Sequence, residues 1–443
     1  MAAGGERVDP RPLHVLVRSW RWAPWLVVAT VALRLLAVAG LRAYVYFDSA
    51  EYDTLDFSGR WRRPWATPYL YSLVPGDPNR IVVAQALIGA LCWVVLALAA
   101  AAWFRAPGVR LTTAVTLVAL GCTTSITNWD AAKLSESLAL SLTVLVVAAW
   151  LNLVRRPTIV TASLLLVATL PWLFVRQSLL PTAWMVALVA VAAAICAWRR
   201  DGAGPVFGGV AVGLVLLAGL ASFSYGRNQE VVRENLTVIV ANRIAPDPTR
   251  LEWFVDHGMP TPRSGQYDYV SLKASPSFVR WVADEGRGTY VRYLVTHPWY
   301  ALTEPLDDMV GVRRSYGDEP EAHTTMLSPA DAYGASRPVE PELLEQLLFE
   351  PGGTGTVTTA IGATAAWTVV RRRLWAPGWT VATVLVAVSF ASLLAGWHGA
   401  TPELGRLAIV GAVGLHVGLV VQLAFLAEAE LLARRGDPAA VAG

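Results

Sequence analysis

Residues 81–104 read Ile-Val-Val-Ala-Gln-Ala-Leu-Ile-Gly-Ala-Leu-Cys-Trp-Val-Val-Leu-Ala-Leu-Ala-Ala-Ala-Ala-Trp-Phe and contain no charged side chain. A helix needs about 20 mostly apolar residues to cross the hydrocarbon core of a bilayer, so this stretch is long enough to span a membrane. The whole chain shares that character: 55% of its 443 residues are hydrophobic, 16% are charged, and the mean hydropathy is +0.45. Because soluble domains average about 25% charged residues, the composition excludes an ordinary soluble enzyme and a disordered protein.

Eight more apolar runs are long enough, or nearly so, to span a membrane. A tenth run, 355–370, is weaker because it is rich in Gly and Thr. The eight runs are 23–43, 111–126, 134–154, 158–175, 179–198, 205–223, 379–397 and 406–427.

The positions of the arginines predict which connections face the cytoplasm, since short cytoplasmic loops carry an excess of positive charge. With all ten spans counted, the N-terminus and every second connection carry arginines: Arg7, Arg11, Arg18 and Arg21, Arg105 and Arg110, Arg155 and Arg156, Arg199 and Arg200, residues 371–373, and Arg434 and Arg435. The pattern predicts a multi-pass protein with both termini in the cytoplasm. Among the 36 basic residues only Lys133 and Lys273 are lysines, and this composition indicates a GC-rich bacterial genome and hence a bacterial plasma membrane.

We therefore predict an all-α polytopic membrane protein with about ten transmembrane helices and one mixed outer-face domain. Residues 1–223 would form a seven-helix transmembrane core with a first outer loop at 44–80. Residues 224–354, with 19 acidic and 12 basic residues, would form an extracytoplasmic domain, and 355–443 a C-terminal three-helix segment. Within the outer domain, apolar residues recur at helical spacing over 277–294 and 298–309. The inner face offers only tails and short turns, so chemistry is expected outside, and a net charge of +3 gives no indication of nucleic-acid binding.

The first candidate site segment is Tyr46-Phe-Asp-Ser-Ala-Glu-Tyr52, directly after the first span. If the helix continues, Asp48 and Glu51 share one face with Tyr52 beside them. A carboxylate at the membrane surface can serve as a general base when it lies within hydrogen-bond reach of a hydroxyl. The alternative is that these acids only solvate the end of a helix.

The second segment is Arg60-Trp-Arg-Arg-Pro-Trp-Ala-Thr-Pro-Tyr-Leu-Tyr71. Three arginines in a short outer loop oppose the usual charge bias, and Arg176 lies alone in another short outer turn. A guanidinium matches phosphate oxygens two at a time, so phosphate binding and contact with lipid headgroups are both open readings of Arg60, Arg62, Arg63 and Arg176. Trp61 and Trp65 are expected at headgroup depth.

The third segment, 127–137, opens the fourth span and contains Asp130, Lys133 and Glu136. Ionisable residues at membrane depth are costly and usually functional. The alternatives are a surface pair between Asp130 and Lys133, or Ser135 acting only as a helix cap. Arg34 lies inside the first span and is expected to face the protein interior or a polar partner.

Metal and thiol chemistry have no clear motif in this chain. His257, His297, His323 and His398 show no metal-ligand spacing, and the three cysteines lie inside apolar runs and show no CxxC pattern. A metal site assembled from distant residues stays open.

Taken in order, these segments resemble the polytopic GT-C glycosyltransferases, especially bacterial proteins like the protein mannosyltransferases and aminoarabinose transferases of family 39. The resemblance lies in the acidic motif after span one, Arg63-Pro-Trp-Ala-Thr-Pro-Tyr69, the start of span two at Ile81, and Lys133-Leu-Ser-Glu-Ser-Leu138. Seven spans followed by a large outer loop and further spans agree with it. The adjacent acidic pair usual in the family is replaced here by Asp48 with Glu51.

The resemblance implies a polyprenyl-phosphate sugar donor and a glycan, lipid or protein acceptor at the outer leaflet, among membrane lipids. Asp48, or otherwise Glu51, would deprotonate the acceptor hydroxyl, and arginines would stabilise the leaving phosphate. Tyr52, Tyr69, Asp130 and Glu136 join the arginines as expected substrate-binding residues. The resemblance implies no certain cofactor, and a divalent cation could assist at the donor phosphate.

Three other classes stay open. An O-antigen-ligase-like or polymerase-like enzyme would place Arg280, Arg292 and His297 in its site. A transporter or flippase would line a pathway at mid-membrane with polar residues. A non-catalytic membrane scaffold would have no cavity near Asp48.

Overall fold

A computed structural model describes residues 12–305, 362–367, 377–399 and 404–434, apart from 42, 44, 46–48, 60, 75, 201–202, 228 and 263–264. Across those residues the regular structure is helical and includes no β-strand. Six helices are long and apolar enough to cross a membrane, namely Asn79–Ala101, Glu136–Arg155, Gln177–Trp198, Gly204–Gly226, Gly378–Gly399 and Ile409–Arg434. The chain is therefore an all-helical, multi-pass membrane protein.

The α-helices are numbered in chain order. They are α1 Leu13–Arg18, α2 Ala23–Val38, α3 Ala66–Ser72, α4 Asn79–Ala101, α5 Pro107–Gly121, α6 Thr124–Thr127, α7 Glu136–Arg155, α8 Ile159–Leu173, α9 Leu180–Arg200, α10 Gly204–Gly226, α11 Gln229–Ile239, α12 Pro248–Asp256, α13 Tyr269–Lys273, α14 Pro276–Trp281, α15 Arg287–Thr296, α16 298–305, α17 362–367, α18 Pro377–Gly399 and α19 Leu404–Arg434.

Three of the expected spans coincide with shorter apolar helices, α2, α5 and α8. The weak tenth run lies mostly outside the described residues, and its described part is the short helix α17. The six long helices correspond to six of the other expected runs. The number of spans thus stays a prediction, whereas the multi-pass character is confirmed.

Helix α2 ends well before the acidic motif that follows it. The helix stops at Val38, and Gly40 adopts a left-handed backbone with φ of 78°. Glycine takes this conformation without steric cost, so it commonly ends helices. A separate 3₁₀ segment then begins at Ser49 and runs to Asp53. The first helix therefore does not continue to Glu51, and the condition for Asp48 and Glu51 to share one face of it is not met.

Helix α4 is the centre of the N-terminal half and packs against α2, α5 and α7. The close packing of these helices depends on glycine at two positions. Any Cβ at Gly89 of α4 would overlap the guanidinium of Arg34, and one at Gly121 of α5 would overlap the ring of Trp93. Glycine at these positions leaves room for a buried guanidinium and a fully buried indole.

The segments expected outside contact one another at one end of the bundle. Lys133 pairs with Asp53, the Ala66 N–H donates to the Phe174 carbonyl, and Arg227 donates to the Ser58 carbonyl. His398, in the last turn of α18, contacts the outer domain. This end of the bundle is called the polar end below.

The segments expected inside meet at the opposite end. The backbone N–H groups of Arg105 and Ala106 donate to the Glu428 carboxylate near the end of α19. Arg110 lies over the ring of Trp20, and Trp367 stacks on Trp379. These described connections therefore lie at two ends, in agreement with the arginine pattern, while the number of spans and which end faces the cytoplasm stay predictions.

The described part of the outer domain is helical rather than mixed. Its aromatic core includes Phe254, Phe278, Tyr293 and Tyr300 and reaches Trp397 at the end of α18. The expected helix over 277–294 is present, but it contains a π-helical turn at Val282–Gly286 between α14 and α15. Gly286 is needed there because a Cβ would lie 2.8 Å from Leu236 of α11.

Candidate functional site

The three polar segments chosen from the sequence contact one another at the polar end. Ser49 Oγ donates to the Lys133 carbonyl at 2.9 Å, and Lys133 Nζ lies 2.5 Å from Asp53 Oδ1. Tyr71 Oη donates to the Leu134 carbonyl at 2.7 Å. The loop after the first span is therefore fastened onto the start of α7 at three points.

Glu51 lies between two arginines of that loop. Its Oε1 is 3.2 Å from Arg62 Nη1, and its Oε2 accepts a hydrogen bond from Arg63 Nε at 2.6 Å. The Arg63 guanidinium also lies 5.0 Å from the ring centroid of Tyr52, a cation–π arrangement. Charge-assisted contacts of this kind hold guanidinium groups in defined positions. Glu51 thus orients both arginines.

Glu234 of α11 completes this group, and sequence reasoning did not select it. It pairs with Arg62 and accepts a hydrogen bond from the Tyr269 hydroxyl at 3.0 Å. Partial burial raises its pKa, but the hydrogen bond from Tyr269 and the charges of Arg62 and Lys273 outweigh burial and lower the pKa of Glu234 below its usual range. The residues Glu51, Arg62, Arg63 and Glu234 are called the carboxylate–arginine cluster below.

A chain of contacts leads inward from this cluster. Tyr52, which lies beneath Arg63, is buried and donates from Oη to Ser135 Oγ at 3.2 Å. Ser135 Oγ in turn lies 3.5 Å from Glu136 Oε2. Ser135 sits at the position before α7 but makes no capping hydrogen bond, so the helix-cap reading is wrong.

Glu136 and Arg176 form a buried ion pair at the inner end of that chain. Arg176 Nη2 lies 3.3 Å from Glu136 Oε1, and the side chains are 9% and 0% exposed. The sequence places Arg176 at an outer turn, with phosphate binding and headgroup contact both open. The structure shows its guanidinium against the first residue of α7, and its contact with phosphate stays a prediction.

Asp130 pairs with Arg34 and not with Lys133, the partner expected if it formed a surface ion pair. It is fully buried, its Oδ2 is 2.5 Å from Arg34 Nη2, and its Oδ1 accepts from Ser137 Oγ at 2.6 Å. Lys133 pairs with Asp53 instead, so the Asp130–Lys133 surface pair is wrong. The expectation that Arg34 faces a polar partner in the interior is confirmed.

The remaining predicted residues lie apart from the cluster or outside the described part. Asp48 and Arg60 lie outside the described residues. Tyr69 is 45% exposed and packs by its ring against Trp65 at 6.3 Å. The Trp61 indole N–H donates to the backbone carbonyl of Glu51 at 2.8 Å, so this ring braces the loop.

The described residues show no arrangement that matches a ligase-like site or a metal site. Arg280 and Arg292 are exposed, and His297 stacks on Tyr293 at 4.2 Å between ring centroids. Across the described residues, no three His, Cys, Asp or Glu side chains gather into a group that could hold a metal ion. The three cysteines, Cys92, Cys122 and Cys196, are free thiols.

The arrangement joins carboxylates and guanidinium groups in one line from the exposed loop to the interior. A guanidinium has five N–H donors in a fixed fork, which suits it to bind anionic oxygens. Cations held in fixed positions can stabilise negative charge as it develops without reorganising. The polar end can therefore orient an anionic group next to the loop that contains Asp48.

No protein-family model and no curated protein matches this chain.

Proposed function

We propose that the protein is an integral membrane glycosyltransferase that moves a sugar from a polyprenyl-phosphate donor to an acceptor hydroxyl at the outer face of a bacterial plasma membrane. The acceptor is a glycan, lipid or protein of the cell envelope. The proposal extends to a GT-C-like fold with ten spans and both termini in the cytoplasm. It rests on one observation, the connected line of side chains from Glu51 through Arg63, Tyr52, Ser135 and Glu136 to Arg176.

In the proposed reaction Asp48 takes the proton of the acceptor hydroxyl. The hydroxyl oxygen forms a bond to the anomeric carbon of the donor sugar, and the bond from that carbon to the phosphate oxygen breaks. Polyprenyl phosphate leaves with the electron pair. Arg60, Arg62, Arg63 and Arg176 are the proposed sources of positive charge for the leaving group, because preorganised cations usually supply the largest share of such catalysis.

Glu51 has a positioning role in this scheme. Both of its oxygens face guanidinium groups, at 3.2 Å for Arg62 and 2.6 Å for Arg63. A carboxylate engaged in this way aligns cations, whereas a general base needs a lone pair directed at the acceptor hydroxyl. The proposal therefore gives the base role to Asp48, and Glu51 holds Arg62 and Arg63 in place.

The placement of the ionisable groups favours this chemistry over transport. Transporters bind their substrates near mid-membrane, at helices that are interrupted there. In the described part of α2 and α7, Arg34 lies in the last turns of its helix and Glu136 at the first residue of its helix, both at the polar end. The two buried ion pairs belong to that end, where the proposed donor phosphate would lie.

The proposal is tested by comparing Asp48→Asn with Glu51→Gln in purified protein, with a defined polyprenyl-phosphate sugar as donor. Loss of a general base typically costs about 10²–10⁴-fold in rate, so Asp48→Asn should lower kcat by that amount while donor affinity is retained. Glu51→Gln should mainly weaken donor binding, because its two arginines lose their shared anchor.

The reverse result would reassign the roles. Near-normal turnover in Asp48→Asn together with an inactive Glu51→Gln would make Glu51 the base. Normal turnover in both variants would end the proposed mechanism. Glu252→Gln is the matched control, since Glu252 is an exposed acid of the outer domain far along the chain from this loop.

A further inference from the structure

An apolar stripe runs along the outward side of the outer-domain helices α15 and α16. Val291 and Val295 of α15 are 51% and 75% exposed, and Trp299 and Leu302 of α16 are 76% and 46% exposed. Val291 and Val295 are four positions apart on α15, and Trp299 and Leu302 are three positions apart on α16, so each pair lies on one side of its own helix. Exposed apolar residues gathered on one surface mark a contact site more often than single scattered ones do.

Helices α15 and α16 follow each other in the chain and are together called the rod below. The N–H of His297 donates to the Tyr293 carbonyl at 2.8 Å at the end of α15, and the N–H of Ala301 donates to the His297 carbonyl at 3.1 Å at the start of α16. Between these bonds the backbone of His297 is not helical, with φ of −124° and ψ of 63°. The side opposite the stripe is buried through Tyr293 and Tyr300, whose rings lie 5.1 Å apart. The exposed stripe is therefore a second apolar surface.

The depth of this rod is fixed by its contacts with a helix long enough to span the membrane. His398 lies in the last turn of α18, and its Nε2 is 2.9 Å from the Ala301 carbonyl, so Nε2 carries the proton and donates. Its Nδ1 then accepts from the Tyr290 hydroxyl at 3.0 Å. Burial raises the pKa of Tyr290, which keeps that hydroxyl protonated. The rod is thus held at the end of α18, one of the helices long and apolar enough to span a membrane.

Charge on the rod agrees with contact to lipid headgroups. Arg287 and Arg292 are exposed on α15, and neither guanidinium has a hydrogen bond or ion pair within the described part of the chain. Interfacial helices combine apolar residues and Trp on one side with basic residues that face anionic headgroups. Trp is also enriched at the depth of the headgroups.

We infer that α15 and α16 lie on the membrane surface, with Val291, Val295, Trp299 and Leu302 inserted into the outer leaflet and Arg287 and Arg292 among its phosphates. This surface is a lipid-binding element that holds the outer domain against the bilayer. It is independent of the sugar-transfer chemistry proposed above.

The inference is tested with spin labels on single cysteines in proteoliposomes that contain phosphatidylglycerol, after the native cysteines are replaced. Val295→Cys and Trp299→Cys report on the stripe. Val270→Cys is the matched control, because Val270 is 72% exposed on α13 of the same domain but lies outside the stripe. Labels at 295 and 299 should show severalfold lower accessibility to an aqueous nickel reagent and higher accessibility to oxygen than the label at 270.

Two outcomes would overturn the inference. Equal accessibility of the labels at 299 and 270 to the aqueous reagent would place the stripe in water. Shielding of the labels at 295 and 299 from both reagents would show that protein, rather than lipid, covers the stripe. Because each variant changes an exposed side chain, the fold of each can be checked by its thermal unfolding before labelling.

Discussion

The hydroxyl of Tyr52 donates to Ser135 Oγ at 3.2 Å, and both residues are buried. This contact joins the loop after the first span to the start of α7. On one side of it Arg63 lies over the Tyr52 ring, and on the other Ser135 reaches Glu136. A substitution that removes this contact should therefore affect both the loop and the buried ion pair of Glu136 with Arg176.

Tyr52→Phe should lower the free energy of unfolding by about 1 kcal/mol, the net worth of one hydrogen bond, because the ring beneath Arg63 remains. Tyr52→Leu should cost more, since it also removes the cation–π contact, worth about 0.5–2 kcal/mol. Thermal unfolding in one detergent ranks the stability of the unmodified protein and the two variants. If both variants were as stable as the unmodified protein, neither the ring nor the hydroxyl of Tyr52 would hold the loop. Tyr69→Phe is the control, because Tyr69 is 45% exposed.

Arg63→Lys and Arg176→Lys should each weaken donor binding or turnover, because lysine cannot reproduce a planar two-pronged contact with phosphate. Arg63→Lys should have the larger effect on the loop, since the guanidinium also contacts Glu51 and Tyr52. The measurement is donor affinity and turnover in detergent, one variant at a time. Unchanged values for both would remove these two arginines as phosphate ligands and favour simple headgroup contact for Arg63.

Glu136→Ala should be strongly destabilising because it leaves the Arg176 guanidinium buried without its carboxylate. Breaking one partner of a buried ion pair costs about 3–5 kcal/mol. The double variant Glu136→Leu with Arg176→Met should regain much of that loss, since no uncompensated charge remains. Thermal unfolding of the three variants checks this. A double variant no more stable than Glu136→Ala would show that the contact matters through shape rather than charge.

Sidedness is checked by labelling single cysteines with a membrane-impermeant reagent in intact cells, after the exposed native Cys196 has been replaced. Val270→Cys, 72% exposed in the outer domain, should label without permeabilisation. Arg434→Cys, 75% exposed at the end of α19, should label only after permeabilisation. The sequence predicts the same outer location for Asp318→Cys. Labelling of residue 270 only after permeabilisation would reverse the orientation.

Glu234 should make stability depend on pH in the acidic range. Its pKa is lowered below the usual value of 4.5, although burial raises it, because the Tyr269 hydrogen bond and the Arg62 charge outweigh burial. The unfolded chain therefore binds this proton at a higher pH than the folded protein. The stability due to Glu234 is fully present above about pH 4.5 and is lost as the pH falls through its lowered value in the folded state.

The measurement is the difference in Tm between the unmodified protein and Glu234→Gln from neutral to acidic pH. That difference should shrink below about pH 4.5. Glu252→Gln, which removes an exposed acid of α12, is measured alongside as the control for the loss of one surface carboxylate. A constant difference for Glu234→Gln across the range would mean that its charge does not stabilise the fold.

Much of the architecture could be predicted because it depends on local composition. Apolar runs long enough to span a bilayer coincide with the six long helices, and the alternation of arginines matches the two ends at which the connections meet. Both the apolar runs and the arginine positions can be recognised within single segments of sequence. Because each segment must satisfy the bilayer by itself, these features can be predicted without knowing how the helices pack.

The site could be predicted only in part. The sequence selected Glu51, Arg62 and Arg63, which the structure brings together, but it expected one continued helix where Gly40 ends α2 and a separate 3₁₀ segment follows. It also missed Glu234, which lies 172 positions from Arg62 in the chain. The only feature of the sequence that pointed to Glu234 was its position as an acidic residue near the start of the outer domain.

By itself the sequence determined that this chain is an all-helical membrane protein with its charges gathered at the connections. The tertiary structure decided which charges pair. Arg34 and Asp130, 96 positions apart, are each 1% exposed and joined at 2.5 Å. The sequence indicated that Arg34 needs a polar partner, because an unpaired charge is costly in an apolar interior. It could not tell that Asp130 supplies it, because an ion pair depends on distance in space, which only the packing of α2, α4 and the 3₁₀ segment Asn128–Ala131 fixes.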